Sequence, residues 1–373
     1  MNQKLLHTPE GVRDIYGTEY ARKLYVEEKL QSSIRSYGYE DIQIPSFEYS
    51  DVFSVEAGAT SGKELYKFFD KEGNTLVLRP DFTPSVARCA AKYFLEEQVP
   101  LRFSYMGNTF TNTSSLQGKL NEVTQLGAEL INDASVEADA EIISLVVQAL
   151  QNAGLTQFRI TVGQVDYFKG LCEEAGLDSE TEELLQTCIS GKNYFAAQEL
   201  LTEKKVAEPY YSQFLKIADM FDDMCSLADA KSRVHNPRSL AAIERLEKLY
   251  EVLRLYGTEQ YVSFDLGMLS KYHYYTGVIF KAYTYGVGDA IVKGGRYDTL
   301  ISHFGKKAPA VGFVMVIDDI LEAFLGQKIS FPEPEAKEKI LYRPEDFAEK
   351  LKEAQTLRKS GRAVALIPFP EKI

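Results

Sequence analysis

The chain has 373 residues, enough for one large domain or two smaller ones with an ample core. Its 42 Lys and Arg stand against 54 Asp and Glu, a formal charge of −12, which argues against non-specific nucleic-acid binding because phosphate contacts need clustered cations. Cys89, Cys172, Cys188 and Cys225 form no CxxC pair and meet no histidines at ligand spacing. Reduced, buried thiols are therefore expected, with neither zinc nor disulfides. The start, MNQKLLHTPEG, has no apolar core of signal-peptide length, and no apolar run is long enough to span a bilayer. A soluble, cytoplasmic protein is the expectation.

In chain order, a turn-rich entry (Pro9 to Asp14) leads to a predicted helix from about Glu19 to Tyr37, with Val26, Leu30, Ile34 and Tyr37 on one stripe and Gly38 as its stop. Tyr39–Pro45 alternates as a strand and ends at a proline, which suits a sheet edge or a subunit seam. Lys67–Asp70 and Thr75–Arg79 bracket a Gly-Asn turn and read as a hairpin. The second strand enters Arg79-Pro80-Asp81-Phe82-Thr83-Pro84, ahead of a helix. Asp81 and Thr83 are spaced to point the same way from an extended segment, either toward a ligand or, for Thr83 or Ser85, as a helix cap.

Leu101–Phe110 and Glu122–Ile131 read as strands joined by a polar loop. In the second, Gln125, Gly127 and Glu129 share one face, which is either a ligand wall with clearance at the glycine or a solvated outer surface. Val136–Ala153 reads as a helix, and Gln157–Gly163 as a strand. From Leu171 to about Tyr256 the composition turns charged and helical, with four predicted helices that read as an insertion. Tyr261–Leu269, Val278–Tyr285 and Ala290–Lys293 suggest an antiparallel meander, with Gly294-Gly295 where the last strand ends. Tyr272, Tyr274 and Tyr275 crowd its second strand, and Arg296, Tyr297 and Asp298 follow the doublet. Such a convergence builds a small-molecule pocket or an ordinary core. Val311–Phe324 reads as a strand running into a helix, residues 326–338 as a linker containing Pro332 and Pro334, and the tail 339–373 as a small βαβ unit.

Several stretches together resemble histidyl-tRNA synthetases: GVRD, YGYEDIQIP, LRPDFT, MGNTF and TQLGAE, YHYYTGVIF, IVKGGRYD and VGF occur in that family's order across roughly residues 5–325. The resemblance implies an α+β fold, the class II aminoacyl-tRNA synthetase-like core over 1–325. That core is a six- to seven-stranded, mostly antiparallel sheet flanked by helices, with a helical insertion at about 171–257. It further implies that Asp81, Thr83 and Gln125 stand where the family holds the amino group of histidine. Glu129 and Tyr275 stand where it holds the imidazole, and Tyr274 completes the tyrosine pair. Asp81 is shorter than the family's glutamate, and His273 replaces an aspartate.

The departures fall on the cations that would grip ATP. Family arginines are replaced by Thr111, Ser270 and Asp319, the last within Val316-Ile317-Asp318-Asp319, and the loop Gly-Arg-x-Arg has become Gly118-Lys119-Leu120-Asn121. Adenylation builds charge on phosphate oxygens, and removing one preorganised donor costs about 10²–10³ in rate. No catalytic residue, metal or cofactor is therefore expected. With only a short tail after Pro334, the chain is similar to the regulatory subunits of ATP phosphoribosyltransferase. That resemblance implies a non-catalytic partner of the short catalytic subunit in the first step of histidine biosynthesis, a dimer within a hetero-octamer. It also implies a part in histidine feedback, possible binding of histidine itself, and no role for tRNA or membrane. The alternative is a divergent histidyl-tRNA synthetase, which histidine-dependent pyrophosphate exchange would reveal.

Overall fold

The computed structural model describes residues 6–53, 62–113, 120–217, 224–269, 274–332 and 338–370, the side chains of 224–226 excepted. The chain falls into two compact units, one of residues up to Ile15 with Lys23–Ile329, the other of Tyr16–Arg22 with Ser330 onward.

The larger unit is organised on one sheet. Its strands are β1 (Glu40–Asp41), β5 (Leu101–Phe110), β6 (Glu122–Ile131), β7 (Phe158–Gln164), β8 (Val262–Phe264), β9 (Val278–Thr284), β10 (Val292–Arg296) and β11 (Ala310–Val316). They lie in the order β1-β5-β6-β11-β10-β9-β7-β8. Five central pairings are antiparallel, and only the two outermost, β1 with β5 and β7 with β8, are parallel. The sheet is mostly antiparallel as expected but has eight strands among the described residues, more than six or seven. A second, three-stranded sheet holds the expected hairpin, β3 (Lys67–Phe69) with β4 (Thr75–Leu78), joined by β2 (Phe47–Tyr49) on the other side of β4.

Two strand expectations fail for identifiable reasons. Only Glu40–Asp41 of Tyr39–Pro45 pairs as a strand, because the carbonyls of Ile44 and Pro45 accept from the Arg79 guanidinium at 2.9 and 3.1 Å instead. The meander fails because β8 pairs with β7, not β9; β7 arrives from far upstream and lies between them. Nor does the glycine doublet end a strand. Gly294 and Gly295 sit inside β10, each paired on both sides.

Helix α1 (Gly17–Ser36) buries Val26, Leu30 and Ile34 of the expected stripe and ends before Tyr37. Helix α2 (Thr83–Tyr93) starts with proline in its first turn, where a missing N–H is harmless. Helix α3 (Val136–Ala153) is capped by Ser135, whose hydroxyl accepts from the Ala138 N–H, and by Gly154 at φ 107. Nearly every apolar side chain of α3 is buried, against β10, β11 and the long helix α9 (Pro237–Tyr256). The insertion begins earlier than expected. Val165–Glu174 is already helix α4, and α5 (Ser179–Ser190), α6 (Tyr194–Glu203), α7 (Tyr210–Lys216) and α8 (Met224–Arg233) precede α9. Among the described residues, α5 to α9 and the end of α4 occupy the stretch where four helices were read. Strand β11 runs directly into α10 (Ile317–Gly326).

In the smaller unit β12 (Glu338–Tyr342) and β13 (Val364–Pro368) pair in parallel across α11 (Phe347–Lys359), a βαβ unit. Cys89, Cys172 and Cys188 are free thiols, but only Cys172 is buried; Cys225 lies outside the described side chains. Among the described residues no helix is long and apolar enough to cross a membrane, and no three His, Cys, Asp or Glu are placed to hold a metal.

Candidate functional site

The site is one face of the central sheet, and strand periodicity decides what lies on it. Tyr105 of β5 is opposite Gly127 of β6, Gly127 is opposite Val314 of β11, and Val314 is opposite Lys293 of β10. One step along, the row reads Glu129, Gly312, Gly295. One step the other way, Gln125 is opposite Val316. The opposite face of the same strands carries Arg296 toward α3, so the sheet separates the cavity from that helix.

The two glycines of the Glu129 row are required by what lies over them. A Cβ on Gly312 would overlap the Glu129 carboxyl, and one on Gly295 would come within 2.7 Å of the Tyr275 ring. Without side chains there, Glu129 can lie flat along the sheet and Tyr275 can close on it.

Glu129 is 1 % exposed, so its face is buried rather than solvated. Its carboxyl accepts from the hydroxyls of Thr83 (3.0 Å), Tyr105 (3.0 Å) and Tyr297 (2.6 Å). Burial pushes the carboxyl up to about 8, and the hydrogen bonds from Tyr297, Tyr105 and Thr83 offset this only in part. Burial and the neighbouring Glu129 hold the Tyr105 and Tyr297 phenols well above their ordinary value, so both remain donors.

The N-terminus of α2 supplies the next wall. The Thr83 hydroxyl is taken by Glu129, and neither it nor Ser85 caps the helix, whose N-cap residue Phe82 makes no side-chain cap. Instead Asp81 accepts from the Thr83 N–H at 3.2 Å and from the Tyr274 hydroxyl at 3.5 Å. Burial raises the Asp81 carboxyl above the usual carboxylate range, against lowering by these donors. Arg79 fixes the segment: besides Ile44 and Pro45 it donates to the Asn108 carbonyl at 2.8 Å and lies 4.2 Å over the Phe82 ring. Phe82 in turn stacks on Tyr105 at 4.4 Å. Tyr274 and Tyr275 pack ring to ring at 4.7 Å, and Tyr274 meets Tyr297 edge-on.

These side chains enclose a cavity of about 90 Å³. All six pocket candidates, Asp81, Thr83, Gln125, Glu129, Tyr274 and Tyr275, line it. Gln125 lines the cavity, and its amide oxygen is buried with no hydrogen-bond partner among the described residues. Sequence reasoning missed Lys293 on the wall, and Tyr105 and Arg79 behind it, and left Tyr297 open between pocket and core. Period two could have placed Lys293 with Gly295, and the distance from strand to Pro80 could have marked Arg79. Tyr105 and Tyr297 look like any core aromatic.

The positions without arginine lie elsewhere. Thr111 ends β5, its N–H donating to the Asn121 carbonyl, and Asp319 is in the first turn of α10; neither lines the cavity. Burial pushes the Asp319 carboxyl up to about 6, with Lys293 opposing the shift. Adjacent Asp318 is structural, pairing with Lys23 at 3.0 Å and accepting from the Thr124 N–H at 2.8 Å. Ser270, His273 and Tyr272, with Gly118 and Lys119, lie outside the described residues. Arg296 and Asp298 belong to a clamp rather than the cavity. Arg296 is buried against Asp139 (2.7 Å), which also pairs with Arg245 of α9 (2.6 Å).

A family model described as histidyl-tRNA synthetase matches residues 11–320. A relative from Acetivibrio thermocellus named ATP phosphoribosyltransferase regulatory subunit is 39% identical over 359 residues, 96% of this chain and 86% of its own. A relative of the same name from Thermoanaerobacter pseudethanolicus is 36% identical over 365 residues, covering 98% and 95%. A solved structure from Bacillus halodurans, described as an ATP phosphoribosyltransferase regulatory subunit/histidyl-tRNA synthetase, superposes with TM-score 0.89 at 32% identity over 98% of this chain and 93% of that one. Histidyl-tRNA synthetase from Nostoc, at 18% identity, shares the fold with TM-score 0.80 over 98% and 86%. With the synthetase core intact and near full-length identity to proteins of one name, the chain belongs to the family of ATP phosphoribosyltransferase regulatory subunits, built on the histidyl-tRNA synthetase fold.

Proposed function

We propose that the chain holds histidine in the cavity of Asp81, Gln125 and Glu129 and transmits its presence to the short ATP phosphoribosyltransferase catalytic subunit, which it also activates. In this reading it works in the cytoplasm as a dimer within a hetero-octamer and binds neither tRNA nor a nucleotide of its own. The observation that supports it most is a contrast between the cavity and the positions where the family resemblance expects arginines. The carboxyl, amide and hydroxyl groups suited to an amine and an imidazole converge on the cavity, while Thr111 and Asp319 stand where adenylation needs cations. Asp81, Thr83 and Gln125 would receive the ammonium group, and Glu129 and Tyr275 the ring nitrogens.

The test is co-purification with the short catalytic subunit, followed by phosphoribosyl transfer assayed with and without histidine. Activation by this chain, lost on adding histidine, is the expected outcome. Failure to co-elute and to activate would end the proposal.

A further inference from the structure

Lys293 was not among the residues expected here, yet it is the one cation among the described residues lining the cavity. The rest of that wall is acidic or neutral: Asp81, Glu129, Gln125 and hydroxyl groups, with Asp319 close behind Lys293. A ligand carboxylate placed on such a wall would meet no counter-charge other than this lysine. The sheet register sets where the cation stands. Lys293 is level with Gly127 and two strands away, while Glu129 is one step further along β6. With strands ~4.8 Å apart and a rise of ~3.3 Å per residue, their Cα atoms are about 12 Å apart. Lys293 and Glu129 therefore stand at different points of the same sheet face, with the side-chain-free Gly312 and Gly295 beside them.

The lysine is also loosely engaged. Its ion-pair partner is Asp289 at 3.4 Å, a side chain 48% exposed, and both are on the protein's wetted side. Such a pair contributes little and leaves the four-carbon stem able to turn toward a ligand. We infer that Lys293 receives the carboxylate of an α-amino acid held in the cavity, so that the site takes the free zwitterion and rejects analogues lacking the carboxylate. The ammonium end then lies toward Asp81 and Gln125, and the side chain toward Glu129. This rests on the cavity being the histidine site and deepens it, by naming the group that decides between histidine and its reduced or amidated relatives.

Calorimetry on the full chain, alone and with the catalytic subunit bound, tests it using L-histidine and L-histidinol, which carries CH2OH in place of the carboxylate. The wild type should bind L-histidine at least about tenfold more tightly than L-histidinol, the range of one charge-assisted hydrogen bond. Lys293→Met should erase that preference by weakening L-histidine alone, and Lys293→Arg should retain most of it. Circular dichroism melts of the three proteins check that the fold is unchanged. If Lys293→Met binds L-histidine as the wild type does, or loses both ligands equally, the inference is wrong while the cavity stands. If the wild type binds neither ligand in either state, the histidine reading itself fails, and this inference with it.

Discussion

Glu129→Gln separates the electrostatics of the cavity from its shape. The glutamine oxygen can accept from Thr83 and Tyr105, and its amide can donate to the Tyr297 oxygen once that hydroxyl turns, so the three contacts survive without the acid. The pH dependence does not survive. The folded carboxyl sits near 8 and an unfolded glutamate near its ordinary 4.5, so the folded state holds a proton that the unfolded state has released between those values. Stability from this group is therefore complete below about pH 4.5 and lost as pH rises through 8, at a slope of about 1.4 kcal/mol per pH unit. Between pH 5.5 and 7.5 the wild type should lose about 2.5 kcal/mol relative to the variant. Other raised carboxyls, such as Asp319, are common to both proteins and cancel in the difference. The chain has no tryptophan, so far-UV circular dichroism in urea is the suitable readout. Stability curves that run parallel across that pH interval would show that Glu129 ionises as freely in the fold as outside it, and would refute the reasoning.

Gly312→Ala forces a methyl group into the Glu129 carboxyl and the Ala128 carbonyl in the middle of the sheet, and should destabilise by about 3 kcal/mol or more, read as a lowered urea midpoint. Asp139→Asn leaves buried Arg296 and half-buried Arg245 facing a neutral amide; a loss of about 3–5 kcal/mol in denaturant unfolding is expected, and a wild-type midpoint would mean the clamp is idle. Asp319→Arg restores one cation but leaves Thr111 unchanged, so histidine-dependent pyrophosphate exchange should stay at background; any exchange would mean the nucleotide site is one residue from activity.

Local patterns in the sequence carried the elements whose partners are close in the chain. The alternation of Glu122–Ile131, the stripe of α1 and the turn between β3 and β4 each follow from a few neighbouring residues, and the structure places them there. The pocket candidates run from residue 81 to residue 275, so no local rule could join them; order within a family resemblance did. What stayed hidden depends on distant partners. β8 looks like the first strand of a meander until β7, a hundred residues earlier in the chain, takes its edge. Tyr39–Pro45 has the alternation of a strand, but Arg79 competes for its carbonyls. Lys293 closes the predicted strand Ala290–Lys293, and only the β9–β10–β11 pairing shows which sheet face it shares with Gly295.

Adjacent residues at the start of α10 show why a synthetase body can lose nucleotide chemistry and keep its fold. Asp318 is anchored, its carboxylate held by buried Lys23 and by the Thr124 N–H, so its side chain is part of how α10 docks on β6. Asp319 has no such anchor among the described hydrogen bonds and ion pairs; its neighbours act on it only through space. Changing it alters the field and little else. A charge about 8 Å from a phosphate contributes roughly 2 kcal/mol at an effective dielectric of 20, so arginine replaced by aspartate shifts that interaction by about 4 kcal/mol, near a thousandfold in affinity per phosphate charge. Glu129 in the cavity has no comparable freedom. Glu129 accepts from three hydroxyls and lies over the bare backbone of Gly312, so removing its side chain would strand donors on α2, β5 and the end of β10 together. The wall around Glu129 is held by the sheet itself, through hydroxyls on α2, β5 and the end of β10, and needs no ligand to keep its shape.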